Sequence, residues 1–153
     1  MNFARYALLL ALAATFWAAP VNAAEPESAG TIKTARGSVT IDRAGEKVEA
    51  SVGKPVFVGD RVHAGPKSYV GMTLHDNTLL TAGPDSTLLV TQFRFNVESQ
   101  EGNMLVSLLK GTFSLVTGLI AKRSPEAVVF KTPTMTLGVR GTEFVVEVNG
   151  EAG

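Results

Sequence analysis

The fold class is decided by one stretch of sequence, Val70-Gly71-Met72-Thr73-Leu74-His75-Asp76-Asn77-Thr78-Leu79-Leu80. In this stretch Val70, Met72 and Leu74 place apolar side chains at every second position, which is the period of a β-strand with one buried face. Asp76 and Asn77 can adopt the positive φ angles that a tight two-residue reversal requires. The stretch is therefore predicted as a strand that ends in a tight turn.

The same period of two recurs along most of the chain. It appears in four further groups of apolar residues: Phe93, Phe95 and Val97; Phe113 and Leu115; Met135, Leu137 and Val139; and Phe144, Val146 and Val148. Glycine or proline interrupts the chain every few residues, so that almost no window of about 12 residues is left for a helix. We predict a single all-β domain of short strands and tight turns over residues 31–148.

A short internal repeat bears on the architecture. Ala64-Gly65-Pro66-Lys67-Ser68 recurs 18 residues later as Ala82-Gly83-Pro84-Asp85-Ser86. Each copy fits a tight turn in which the proline supplies the fixed φ of position i+1 and the serine closes the turn before a strand. With Asp76-Asn77 midway between the copies, a turn comes about every nine residues, which fits either a β-solenoid or a β-sandwich of short hairpins.

Composition restricts the classes of function. The 153 residues are 45% hydrophobic and 18% charged, values that are typical of one folded domain. The 14 basic and 14 acidic residues cancel to a net charge of zero, so nucleic acid is not an expected partner. The chain has no cysteine, which excludes disulfides, thiolate metal sites and cysteine nucleophiles.

The N-terminal residues are typical of an export signal. Arg5 precedes a run over residues 6–19 that is apolar apart from Thr15, and Val21-Asn22-Ala23 resembles the site that a signal peptidase cleaves. The run is too short for a membrane-spanning helix, which needs about 20 apolar residues. We predict a periplasmic or secreted protein with no transmembrane segment after cleavage behind Ala23. Its parts are a signal peptide over residues 1–23, a flexible leader over 24–30, the β domain over 31–148 and a tail over 149–153.

Several segments resemble those of the FecR domain family, and they occur in the family's order. They are Gly59-Asp60-Arg61-Val62, Gly65-Pro66-Lys67-Ser68, residues 70–80, Pro84-Asp85-Ser86, Lys110-Gly111-Thr112-Phe113, Phe130-Lys131-Thr132-Pro133 and residues 139–146. The resemblance spans residues 30–148, and its most specific part is Val139-Arg140-Gly141-Thr142-Glu143-Phe144. Where the family usually has Asp-Gly, this chain has Asp76-Asn77, which preserves the turn because asparagine also tolerates positive φ.

The resemblance implies a periplasmic, β-rich sensor domain. The family is named for the iron-dicitrate regulator, which relays a signal from an outer-membrane transporter to an anti-sigma segment in the cytoplasm. We expect this chain to lack that membrane-spanning relay and to be a free-standing exported module. We predict a non-catalytic binding or regulatory protein of the bacterial cell envelope, without a cofactor. Its partner would be an envelope protein, such as a transporter or a regulator, or a cell-wall polymer.

Two other functions remain open. A structural scaffold would associate with itself through exposed strand edges, which the sequence does not locate. A metal-dependent periplasmic enzyme would need a cluster of ligands, for which the sequence offers His63, His75, Asp60 and Asp76. The spacing of the two histidines matches no recognised ligand pattern, and both are expected to lie at the surface.

Three residues are candidates for contact with a partner. Arg140 offers five hydrogen-bond donors, either to a partner or to a carboxylate such as that of Asp60. Tyr69 alternates out of phase with its apolar neighbours, so it is expected to face solvent, and a patch with Lys67 and His75 is a candidate binding surface.

The other motif residues are predicted to be structural. They are the turn residues Gly59, Asp60, Asp76, Asn77, Gly141 and Thr142. Residues 119–126, which include the adjacent cations Lys122 and Arg123, are predicted to form a mobile loop.

Overall fold

A computed structural model describes residues 19–20, 27–139 and 141–149 of the chain. Most of the predicted signal peptide, part of the predicted leader, nearly all of the predicted tail and Arg140 lie outside these residues. Among the helices of the described ranges, none is long and apolar enough to cross a lipid bilayer.

The described residues form twelve strands and two short helical segments. The strands are β1 (Ser28–Arg36), β2 (Val39–Arg43), β3 (Glu46–Glu49), β4 (Pro55–Phe57), β5 (Arg61–Ala64), β6 (Tyr69–Leu74), β7 (Leu79–Ala82), β8 (Ser86–Phe95), β9 (Gly102–Val116), β10 (Val128–Lys131), β11 (Thr136–Gly138) and β12 (Glu143–Val148). Helix α1 (Leu119–Arg123) and a 3₁₀ turn (Pro125–Ala127) connect β9 to β10.

The strands form one curled sheet with the order β3-β2-β5-β8-β9-β7-β6-β1-β4. Strands β10 and β12 both pair with β9, the first with its N-terminal part and the second with its C-terminal part, and β11 pairs with β10. Every pairing is antiparallel except that of β10 with β9. The all-β prediction is confirmed, but the architecture is a curled half-barrel, which confirms neither the solenoid nor the sandwich.

The curl brings two halves of the sheet around a common apolar core. In β6 the burial alternates as the sequence predicts, with Val70, Met72 and Leu74 buried. Two residues of the predicted buried phase are instead exposed, Val97 by 76% and Met135 by 57%. Both lie just outside a strand, since β8 ends at Phe95 and β11 begins at Thr136, so the alternation of a strand does not extend to them.

Among the places where the chain passes from one half of the sheet to the other, four are joined to one another by hydrogen bonds, and together we call them the corner. They are residues 37–38 between β1 and β2, 65–68 between β5 and β6, 83–85 between β7 and β8, and 111–112 within β9. The two copies of the internal repeat are thus two neighbouring passages of the corner. In the first copy, Ser68 N–H donates to the Gly65 carbonyl at 3.2 Å, which places Pro66 at position i+1 as predicted.

Each serine of the repeat binds the backbone of an adjacent passage. The Oγ of Ser68 accepts the N–H of Ser38 at 2.8 Å, and the Oγ of Ser86 accepts the N–H of Thr112 at 3.1 Å. In return, the N–H of Gly65 donates to the Ser38 carbonyl, as that of Gly83 does to the Thr112 carbonyl, both at 2.9 Å. The corner is therefore built from two equivalent pairs of passages, which explains the repeat as a packing feature.

The structure differs from the sequence predictions in two segments. Strand β1 begins at Ser28, inside the predicted leader, because Ala29 is buried in the core and Gly30 pairs with Leu74. Residues 119–126 are not an irregular loop, because Ile120 is fully buried and anchors α1 against the sheet. The sequence shows no recognisable period in either segment. The buried positions of β1 include Ala29 and Gly30, which give no apolar pattern, and α1 has a single turn.

Candidate functional site

Asp60 is a buried residue that is held by Arg43 of β2. The Asp60 carboxylate is 1% exposed and accepts two hydrogen bonds from the Arg43 guanidinium, at 2.9 Å from Nε and 2.7 Å from Nη2. It also accepts the N–H of Phe57 at 2.8 Å. Asp60 therefore joins the segment after β4 to Arg43 of β2, and the suggested contact with Arg140, which lies outside the described residues, stays a prediction.

Asp60 raises the pKa of Arg43. The hydrogen bonds that Arg43 donates to Asp60 raise this pKa above its ordinary value, burial opposes them, and the negative charge of the carboxylate adds to the increase. The guanidinium also lies 4.5 Å from the centre of the Phe57 ring. Gly59, which precedes Asp60, has a φ of 93° and donates its N–H to the Val90 carbonyl at 2.7 Å. This group joins β2, β4 and β8 and offers no free carboxylate for chemistry.

The hairpin between β6 and β7 turns over residues 74–78, where the N–H of Asn77 donates to the Leu74 carbonyl at 3.0 Å. Asn77 has a positive φ of 68°, whereas Asp76 does not, so the turn is not the two-residue reversal that the sequence predicts. The Asp76 carboxylate is fully buried and accepts two hydrogen bonds from Thr78, one from the N–H at 3.1 Å and one from the hydroxyl at 2.8 Å. Thr78 Oγ1 then accepts the N–H of Gly118 at 3.1 Å, and the Asp76 carbonyl accepts the N–H of Leu119 at 2.7 Å. A Cβ on Gly118 would overlap the Asp76 carbonyl oxygen, so glycine is required where the start of α1 meets this turn.

The structure does not assemble the metal cluster that His63, His75, Asp60 and Asp76 suggested. His63 Nδ1 lies 2.8 Å from Thr87 Oγ1 on β8, whereas His75 Nε2 lies 2.9 Å from Ser28 Oγ on β1. Both histidines are exposed, as predicted, and both aspartates are buried with other partners. Within the ranges that the structure describes, no group of three or more metal-binding side chains occurs.

Tyr69 and Lys67 lie close together, but they do not form a patch with His75. Tyr69 is half-buried, with the Arg36 guanidinium carbon 5.6 Å from the centre of its ring. Lys67 is exposed at the corner, where its φ is 54°. His75 follows the far end of β6, and six residues of strand separate it from Tyr69 by about 20 Å. The predicted contact of Lys67 and Tyr69 with a partner stays a prediction.

Gly141 and Thr142 form the entry to β12. Both of their carbonyl groups accept the hydroxyl of Thr117 at 3.3 Å, and the Thr142 carbonyl also accepts the N–H of Thr117 at 2.8 Å. Gly141 has a φ of 97°, as a strand corner requires. The neighbouring Arg140 lies outside the described residues, so its predicted role in partner contact stays a prediction.

The feature that the sequence did not locate is an open strand edge at β12. This strand pairs on one side with residues 111–116 of β9, and no strand in the described part of the chain pairs with its other side. Its central residue, Val145, is 68% exposed. Phe144 is half-buried against Phe130, with the ring centres 5.7 Å apart.

Two open grooves follow β12. The larger one, of about 760 Å³, lies between β12 and the β10–β11 hairpin and is mostly apolar. Its walls include Val129, Leu137, Val139, Phe144 and Val146. A second groove of about 470 Å³ continues past Val146, Glu147 and Val148 toward the loop that carries Met135. Both volumes lie within the range of about 300–1,000 Å³ that is usual for ligand sites.

A third, smaller pocket of about 250 Å³ lies beside His75 and the end of β8. It is lined by Glu27, Ser28, His75, Phe93, Arg94, Phe95 and Val97. The His75 and Phe93 rings are 6.4 Å apart, which makes the pocket partly aromatic. It is the smallest of the three, and among the described strands the part of β8 that lines it pairs with β9 on one side only.

These features define an all-β domain with an open strand edge that two grooves follow. The sequence model of a family described as FecR protein matches residues 60–153, which include β5 to β12. The chain therefore belongs to the FecR family, as its motifs indicated. This family comprises regulatory and signalling domains of the cell envelope and is not a known enzyme family. No curated protein and no solved structure matches the chain.

Proposed function

We propose that this chain is an exported, non-catalytic module that regulates a cell-envelope process by binding another envelope protein. Family membership supports the regulatory role, and the predicted signal peptide over residues 1–23 supports export to the periplasm or beyond. The partner class is a protein such as a transporter or regulator. A cell-wall polymer is the competing partner, and the test below separates the two.

The observation that carries this proposal is the open edge of β12 with its two apolar grooves. An unpaired strand offers a row of backbone N–H and C=O groups, and another protein segment can complete the sheet with them. A neutral polysaccharide lacks the regular alternation of donors and acceptors that such an edge matches. The edge therefore favours a protein partner.

The experiment is affinity capture from solubilised envelope of the host, with the protein purified after export as the bait. The expected result is a specific envelope protein that is retained in a stoichiometric, salt-resistant complex and is released by competition with free bait. Retention of glycan or peptidoglycan fragments alone would replace the protein partner with a polymer. Retention of nothing but further copies of the bait would overturn the proposal in favour of a self-associating scaffold.

A further inference from the structure

We infer that the free edge of β12 binds an extended peptide segment that carries two basic residues four positions apart, with apolar residues on the opposite face. This inference rests on the proposed function and specifies the site and the chemistry of the partner. It follows from the exposure, the backbone direction and the charges of β12.

The other terminal strands are protected against strand addition, whereas β12 is not. Strand β3 (Glu46–Glu49) has charged residues at three of its four positions, and β4 (Pro55–Phe57) has three residues and begins with proline. Strand β11 (Thr136–Gly138) also has three residues. Short length, charge and proline are the usual means by which edges are blocked. At six residues, with four apolar side chains, β12 is long enough to accept a partner strand.

The backbone groups of Val145 point away from β9. The N–H of Thr117 donates to the Thr142 carbonyl at 2.8 Å, so Thr142 points its polar groups toward β9. In an antiparallel ladder these groups alternate in direction along the strand. Phe144 and Val146 therefore also bond to β9, while Glu143, Val145 and Glu147 present their N–H and C=O groups at the free edge.

The side chains of β12 alternate between two faces, and a bound strand would have to match both of them. Glu143, Val145 and Glu147 are exposed on one face, while Phe144 and Val146 are half-buried on the other, beside the grooves. In the described part of the chain, no lysine or arginine forms a salt bridge with either glutamate. Opposite charges stabilise directly facing positions of an antiparallel pair. A fitting segment thus has a basic residue opposite each glutamate and apolar residues between them that enter the grooves.

The same charges disfavour a second copy of this chain as the occupant. If two β12 strands paired about Val145, Glu143 of each copy would lie directly opposite Glu147 of the other. If the register moved by one residue, a residue whose backbone groups face the free edge would lie opposite one whose groups bond to β9, so the ladder could not form. The pairing about Val145 therefore carries a charge penalty that a basic segment avoids.

The test uses the palindromic core Lys-Leu-Thr-Leu-Lys in an end-capped peptide, so that either strand direction presents the same faces. Binding to the purified exported protein is followed by fluorescence anisotropy and by the amide shifts of residues 143–148. Two peptides serve as controls: Glu-Leu-Thr-Leu-Glu reverses the charge, and Leu-Lys-Thr-Lys-Leu keeps the composition but changes the spacing. We expect the first peptide to bind about tenfold more tightly than either control.

Variants of β12 separate the edge from other surfaces. Val145→Pro removes an outward N–H without removing a bond to β9, so the protein should fold while peptide binding weakens by about tenfold. Val145→Thr keeps that N–H and should bind as the original protein does. The double variant Glu143→Lys with Glu147→Lys should prefer the peptide with two glutamates. Folding of each variant is verified by its thermal unfolding.

Three results would overturn the inference. They are equal binding of the spacing control, unchanged binding by Val145→Pro, and no binding at about 1 mM peptide. Self-association that Val145→Pro abolishes would also overturn it, because the occupant would then be a second copy. These failures are distinct from failure of the proposed function: a protein captured equally by the original chain and by Val145→Pro leaves that function intact and removes only the β12 site.

Discussion

The side chain of Ser86 occupies the space that a side chain on Gly111 would need. A Cβ added to Gly111 would overlap Ser86 Oγ and lie 2.5 Å from Ser86 Cα. At the equivalent passage of the corner, a Cβ on Gly37 would overlap Ser68 Oγ in the same way. Both glycines have positive φ, 107° at Gly111 and 77° at Gly37. Gly111 of the Lys-Gly-Thr motif in β9 and Ser86 of the Pro-Asp-Ser motif in the repeat thus contact each other directly.

Gly111→Ala should lower the free energy of unfolding by about 3 kcal/mol or more, since it combines a left-handed backbone with overlap of a buried neighbour. The comparison is Gly53→Ala, where φ is 91° but no atom lies within 4 Å of the added carbon. That variant should lose about 1 kcal/mol, from the backbone conformation alone. Chemical denaturation of the two proteins measures the difference. Equal losses would mean that the Ser86 contact does not constrain Gly111.

The serine hydroxyls at the corner should also contribute to the free energy of unfolding. Ser68→Ala removes the acceptor of the Ser38 N–H from a partly buried hydrogen bond, so we expect a loss of about 0.5–1.5 kcal/mol in unfolding free energy. Ser51→Ala, at an exposed position, should change it by less than about 0.5 kcal/mol. A matching small effect at Ser68 would indicate that water or a shifted carbonyl satisfies that N–H.

Local sequence patterns were sufficient for several of the strands and turns. The alternation of Val70, Met72 and Leu74 predicts β6, and Pro66 and Asn77 predict turns that the structure contains. These features depend on neighbours within a few residues, where the period of a strand and the conformational preferences of proline and asparagine act directly.

The pairing of distant strands was not accessible in the same way. Asp60 binds Arg43, which lies 17 residues away on β2, and no local pattern ranks that arginine above Arg140. Likewise, the alternation in residues 143–148 predicts a strand but does not indicate whether it lies at the centre or the edge of a sheet. Edge position is a property of the whole strand order, so the open edge of β12 emerged only from the structure.

The pair of Arg43 and Asp60 should contribute to stability in a way that a double-mutant cycle detects. Asp60→Asn weakens two charge-assisted hydrogen bonds in a buried position and should cost about 2 kcal/mol of unfolding free energy. Arg43→Met leaves the buried carboxylate without its cation and should cost at least as much. The double variant should cost less than the sum of the two, and strict additivity would mean that the residues do not interact.

The contribution of Arg43 should not depend on pH over the ordinary range. Asp60 raises the pKa of Arg43 in the folded protein. A raised pKa gives stability that is complete below the unfolded value and is lost only as the pH rises through the folded value. The difference in unfolding free energy between the original protein and Arg43→Met should therefore stay constant from about pH 6 to about pH 10. A decrease within that interval would show that another titrating group controls the pair.

A comparison of Gly141→Val with Gly138→Val tests the backbone conformation at the entry to β12. Both glycines have open space around them. Gly141 has a φ of 97°, whereas Gly138 is in β11 with no positive φ, and neither has an atom within 4 Å of an added Cβ. Because a β-branched residue is strained in the left-handed region, Gly141→Val should lose about 1–3 kcal/mol of unfolding free energy. Gly138→Val fits a strand and should change it by less than about 0.5 kcal/mol. Thermal and chemical unfolding of both variants measure this difference, and a loss below about 0.5 kcal/mol at Gly141 would contradict the strand-corner conformation at this position.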